Sequence, residues 1–118
     1  MRAIDDQVYA LHASVCQTLA NPTRLKILNA LRDQEIPVAE LARRTGTGLS
    51  NLSQHLAILR QRRVVATRRQ GVTIYYRIAN PKILAAFDIM RDVLFEQLHE
   101  GRRLVAAVDR ARRGSAKR

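Results

Sequence analysis

Residues 39–61 read Ala39-Glu40-Leu41-Ala42-Arg43-Arg44-Thr45-Gly46-Thr47-Gly48-Leu49-Ser50-Asn51-Leu52-Ser53-Gln54-His55-Leu56-Ala57-Ile58-Leu59-Arg60-Gln61, and this stretch decides the fold. Ala39 to Arg44 predicts a short helix built around Leu41. Gly46 and Gly48 stop it, since glycine readily takes the positive φ of a turn. A second helix starts near Gly48 or Leu49 and runs to about Gln61. Leu52, Leu56 and Leu59 recur at steps of four and three, so they form one buried stripe, with His55 at its margin. The opposite face carries Ser50, Ser53, Gln54 and Ala57. A merely solvated face normally holds Glu and Lys; small polar residues suit a face that lies close against something flat or grooved.

Working outward, Val64–Arg68 and Thr73–Ile78 are β-rich runs joined by Arg69-Gln70-Gly71-Val72, which predicts a hairpin with a basic tip. Ile36-Pro37-Val38 reads as a short extended connector. Upstream, Asn21-Pro22 predicts a capped helix start, and Leu25, Ile27, Leu28 and Leu31 carry that helix to about Asp33. Ile4, Val8, Leu11, Val15 and Leu19 mark one face of a first helix, with Asp5 and Asp6 at its amino end. Downstream, Asn80-Pro81 opens a last helix with Ile83, Phe87, Met90, Leu94 and Leu98 in a stripe. Gly101 is expected to interrupt it, with Leu104, Val105 and Val108 suggesting that it resumes or frays beyond. The basic residues 110–118 are expected to form a disordered tail, leaving residues 1–109 as one domain. There is no internal repeat.

Composition narrows the class. A length of 118 residues suits one domain, and 47% apolar residues suffice for a core, which argues against a wholly disordered basic chain. Aromatics are only 4%, so the core is aliphatic and suits packed helices better than a β-sandwich. No apolar run approaches the ~18 residues of a membrane span. The first residues lack the layout of a signal peptide, so a cytoplasmic protein without a membrane partner is expected. The single Cys16 excludes an intrachain disulfide and a Cys-rich zinc site.

Charge supplies the functional clue. Residues 1–36 are balanced, whereas residues 37–77 hold eight arginines against Glu40 alone. Such a basic middle third is a footprint for a polyanion, most simply nucleic acid. Of the 21 basic residues only Lys26, Lys82 and Lys117 are lysine, and the arginine fork matches phosphates and guanine edges. The enzyme reading fails: no phosphate-binding glycine loop, metal-protease motif or nucleophile context is present, and carboxylates are scarce where a nuclease needs them. No cofactor and no resident metal is assigned.

Helix, turn, helix and basic hairpin in that order make a winged helix-turn-helix, mainly α with a small β-hairpin. The second helix enters a major groove of double-stranded DNA, where Ser50, Asn51, Ser53 and Gln54 reach base edges and Ala57 permits close approach. Gln54 suits a bidentate contact to adenine. Arg68 and Arg69 on the wing reach phosphates or a minor groove, Arg43 and Arg44 reach phosphates, and His55 makes a structural or phosphate contact.

Leu19-Ala20-Asn21-Pro22-Thr23-Arg24-Leu25-Lys26-Ile27-Leu28 resembles the opening signature of the ArsR family of winged-helix repressors. Ser53-Gln54-His55-Leu56-Ala57-Ile58-Leu59-Arg60 resembles its recognition-helix signature. Val38-Ala39-Glu40-Leu41-Ala42 and the Tyr75-Tyr76-Arg77-Ile78 strand fit as well, so the resemblance covers roughly residues 8–100. It implies a homodimer joined through the first and last helices, bound to an inverted repeat near its own promoter and released by an inducer. The apolar stripes of those helices suit dimerisation, although a monomer core would use the same pattern.

Two metal-sensing patterns of that family are interrupted here. Residues 36–42 contain no Cys, and Asp88 is followed two positions later by Met90 rather than His. Glu96, His99 and Glu100 retain three-and-four spacing, but a charged helix end in water has the same pattern. His12 and Cys16 share one face of the first helix. Cys16 has three readings: a core residue, a redox thiol open to oxidation or persulfidation, or a metal ligand beside His12 at the dimer interface. The rival functions are a non-regulatory architectural DNA- or RNA-binding module, a repressor controlled by a metal at that interface, and a repressor controlled by a protein partner.

Overall fold

The computed structural model describes residues 2–116. Five helices and three strands follow in the order α1 (Arg2–Leu19), α2 (Pro22–Ala30), β1 (Ile36–Pro37), α3 (Val38–Thr45), α4 (Leu49–Gln61), β2 (Val65–Gln70), β3 (Thr73–Ile78) and α5 (Lys82–Ala116). The chain divides between Leu84 and Ala85 into two units. The first holds α1 to β3 and the opening turn of α5; the described part of the second is the rest of α5.

Local chemistry sets the helix limits. Asn21 is extended and its side-chain oxygen accepts from the Thr23 and Arg24 amides at 2.9 and 3.2 Å, while Pro22 occupies a first-turn position with no amide to lose. Asn80 repeats the device, accepting from the Lys82 amide at 3.0 Å. Gly46 ends α3 in the left-handed region at φ +66°, sending its amide back to the Ala42 carbonyl.

The core is aliphatic, as composition requires. Ile27, Leu28 and Leu31 of α2 and its C-cap meet Leu41 of α3, the stripe Leu52, Leu56 and Leu59 of α4, and Ile36, Val64 and Val65 beside the sheet. Each of these side chains is almost wholly removed from water, and the stripe of α4 is the one its sequence spacing predicts. On α1 only Thr18 and Leu19 are buried. Ile4, Val8, Leu11 and Val15 are exposed, so this stripe does not serve a monomer core.

Four local features depart from the sequence expectations. Ile36-Pro37 is a paired strand rather than a bare connector: Ile36 sits opposite Tyr76 and Pro37 opposite Tyr75, giving the antiparallel order β1-β3-β2. The wing turn is shorter than the four residues expected. β2 and β3 stay paired out to Gln70 and Thr73, so Gly71-Val72 alone makes the turn, with Gly71 at φ +62°. Gly101 does not interrupt α5, because the roughly 0.5–1 kcal/mol that one glycine costs is too little to break a helix rich in Arg, Leu and Ala. The helix also continues through residues 110–116, where a disordered tail is expected, since Ala and Arg are strong helix formers. Lys117 and Arg118, the end of that expected tail, lie outside the described residues.

Candidate nucleic-acid interface

α4 is held from behind and bare in front. Leu52, Leu56 and Leu59 are fully buried, whereas Ser50, Asn51, Ser53, Gln54 and Ala57 are all exposed. The helix thus presents donors, acceptors and one methyl group on short side chains, and its apolar stripe fixes its rotation. Short side chains of this kind let the helix backbone come close to a grooved surface.

His55 belongs to the scaffold. It is half-buried, and its Nδ1 accepts from Nε of Arg24 at 3.1 Å. Arg24 also donates through Nη1 to the Thr18 carbonyl at 2.8 Å. One guanidinium thereby ties the end of α1, the first turn of α2 and the middle of α4. Since Arg24 can only donate, the neutral ring carries its hydrogen on Nε2, which stays a donor. A second tie runs from Arg62 Nη1 to the Ser14 hydroxyl at 3.2 Å.

The arginines named from sequence divide into distinct situations. Arg43 and Arg44 both donate to Glu40 one turn earlier, through Nε at 2.9 Å in each case, and Arg43 adds a second bond through Nη2. These bonds hold the Glu40 carboxyl down at about 2 from its usual 4.5, and the same pairing raises Arg43. Arg68 and Arg69 are neighbours on β2 and so project from opposite faces of the sheet. Arg69 is paired with Ile74 and lies on the face that carries the buried Ile36 and Val65, the side toward the helices; it is exposed beyond the core. Arg68 lies on the outer face opposite Tyr75, its guanidinium carbon 4.8 Å from the ring centre. There its Nε donates to both oxygens of Glu35, at 3.1 and 3.3 Å, and Nη1 donates to the Gln70 side chain at 2.9 Å.

Sequence reasoning missed Arg24, Glu35, Tyr75 and Gln70 as parts of the site. The Glu40 pairing is written in its spacing of three and four. The Glu35–Arg68 pair spans 33 positions and leaves no local signal.

The candidate sensor pair lies elsewhere. His12 and Cys16 are exposed on α1, with Cys16 a free thiol, so a place for it in the core of a single chain is excluded. Glu96, His99 and Glu100 are exposed on α5. Among the described residues no group of three His, Cys, Asp or Glu side chains is arranged to hold a metal ion. No described helix is long and apolar enough to cross a membrane.

The family model described as bacterial regulatory protein, arsR family, matches residues 21–67, from the Asn21 cap into β2. Over 97 residues the chain is 42% identical to the HTH-type transcriptional regulator KmtR of Mycobacterium tuberculosis, covering 82% of this chain and 72% of that protein. The crystal structure of Rv0081 from M. tuberculosis superimposes with a TM-score of 0.73 at 40% identity, covering 79% of this chain and 94% of that one. The solution structure of Mb0332 from Mycobacterium bovis, described as a homodimeric winged helix-turn-helix DNA-binding domain, gives a TM-score of 0.72 at 34% identity. It covers 80% of this chain and 87% of that one.

Proposed function

The chain belongs to the ArsR family of bacterial regulatory proteins, and from that premise we propose that it is a sequence-specific transcriptional repressor in the cytoplasm. It binds double-stranded DNA as a homodimer at an inverted-repeat operator. The observation that carries this reading is the front of α4: Ser50, Asn51, Ser53, Gln54 and Ala57 are exposed together on a helix whose back is locked into the core. In the groove, Gln54 reads a base edge while Ser50, Asn51 and Ser53 contact bases or phosphates. Arg43, Arg44, Arg68 and Arg69 engage phosphates on either side, and the Nε2 hydrogen of His55 is a further phosphate donor.

The homodimer reading draws support from the exposed apolar stripe of α1, which a second copy would cover, and from the homodimeric form of Mb0332. Release by an inducer is assigned to Cys16, whose exposed thiol is open to oxidation or persulfidation, with His12 one turn away on the same face. Occupying the promoter region blocks transcription until that signal loosens the dimer's hold on DNA.

Fluorescence anisotropy with DNA from upstream of the gene tests this reading against a scrambled duplex at fixed salt. A repressor discriminates by about 10³ or more. Equal binding to both duplexes, with a steep salt dependence, assigns the chain instead to non-regulatory architectural binding. Repeating the titration with oxidant or persulfide donor, in wild type and Cys16→Ser, isolates the thiol. Loss of specific binding in wild type alone supports Cys16 as the sensor, and binding unaffected by every treatment removes it.

A further inference from the structure

Glu35 lies outside the helix-turn-helix and the wing, yet its carboxylate is paired with the wing arginine Arg68. Both of its oxygens accept from Arg68 Nε, at 3.1 and 3.3 Å. The guanidinium is further held by Gln70 at 2.9 Å and lies over the Tyr75 ring at 4.8 Å. So an exposed arginine on the wing is restrained on three sides. A pair this open to water, with side chains 45% and 37% exposed, adds little to folding stability. Its consequence is for charge: the carboxylate cancels the arginine's attraction for a polyanion.

We propose that Glu35 is a specificity-determining brake on the wing, an intramolecular substitute for phosphate that occupies Arg68 in the free protein and is exchanged for a DNA phosphate at the operator. The inference rests on the reading that the wing meets DNA. Tyr75 and Gln70 keep the guanidinium in place while one oxyanion replaces the other. A random duplex must displace Glu35 without help, whereas at the operator the base contacts of α4 hold the wing against the backbone. The brake therefore lowers binding to random DNA more than binding to the operator.

The test substitutes Glu35→Gln, which keeps size and removes charge, and measures operator and random-duplex affinity from about 50 to 300 mM salt. The expected result is a gain of about two- to fivefold on random DNA, a smaller gain on the operator, and a salt slope steeper by up to about 0.9. The gain must vanish in the Glu35→Gln/Arg68→Ala double variant. Asp33→Asn is the control, because it removes the same charge from the same loop without touching Arg68. Asp33 sits at φ +59°, a conformation that Asn also accepts.

Equal gains in Glu35→Gln and Asp33→Asn would reduce the effect to net charge and overturn the brake. Weaker binding of Glu35→Gln, with circular dichroism and Tm unchanged, would make Glu35 a brace and overturn it as well. Gln54→Ala and Arg69→Ala are titrated in parallel. If neither weakens binding, the interface itself is misplaced; if both do while Glu35→Gln changes nothing, only the brake falls.

Discussion

Arg24 offers a sharp test of how the recognition helix is held. The Arg24→Met substitution keeps the aliphatic stem and the helix propensity while removing every donor. Two acceptors lose their partner: the Thr18 carbonyl, bonded at 2.8 Å, and His55 Nδ1, bonded at 3.1 Å. The carbonyl lies in the last turn of α1, where no later helical amide can reach it, and the side chain of Thr18 is buried. Hydrogen bonds from a charged donor contribute about 1.5–3 kcal/mol each, and partial hydration of this half-buried site brings the total to about 2–4 kcal/mol. Urea unfolding at fixed protein concentration, with the slope checked against wild type, measures it, since the proposed dimerisation would make stability concentration-dependent. His55→Ala alone should cost about 1–2 kcal/mol, and the pair should couple by about 1 kcal/mol in a double-mutant cycle. A loss below about 0.5 kcal/mol for Arg24→Met, with no coupling to His55, would refute the idea that this guanidinium fixes α4.

Other predictions follow from single features. Gln54→Ala should relax base preference, costing about 1–3 kcal/mol at one base pair and little elsewhere, as read by competition with single-substitution operators. Gly101→Ala should stabilise α5 by about 0.5–1 kcal/mol and raise helicity by circular dichroism, because a Cβ there meets nothing within 4 Å. Glu40 is held low by Arg43 and Arg44, so its contribution is complete above pH 4.5 and is lost as pH falls toward about 2. Carboxyl NMR titration should place its midpoint at about 2 in wild type and back toward 4.5 in Arg43→Ala/Arg44→Ala.

The starts of α2 and α5 and the end of α3 are legible because local chemistry punctuates them. Asn21-Pro22, Asn80-Pro81 and Gly46 are caps whose chemistry acts within four residues, and the leucine spacing of α4 sets its buried face. What was not legible depends on distance or on a balance of small terms. Strand β1 is two residues long and exists because Tyr75 and Tyr76 pair with it, which no window around Ile36 records. Gly101 carries a breaking signal that continuous backbone pairing outweighs, and in residues 110–116 the concentration of basic charge hides the helix propensity of Ala and Arg. The wing shows the functional consequence. Arg68 and Arg69 look equivalent in sequence, but strand pairing out to Gln70 puts them on opposite faces and gives one of them to Glu35. For His55, the place beside Gln54 suggests a structural or a phosphate contact, and the arginine 31 positions away that holds its ring leaves no local signal.

If the front of α4 reads a specific sequence in a groove, its footprint on DNA is discrete and depends on Gln54. Hydroxyl-radical footprinting over the gene's upstream region, with wild type and Gln54→Ala at equal occupancy, tests this directly. Two protected segments are expected, related by an inverted repeat and about one helical turn apart, centre to centre, with protection spreading to other sequences in Gln54→Ala. Uniform protection along the duplex, the same in both proteins, would contradict sequence reading by α4.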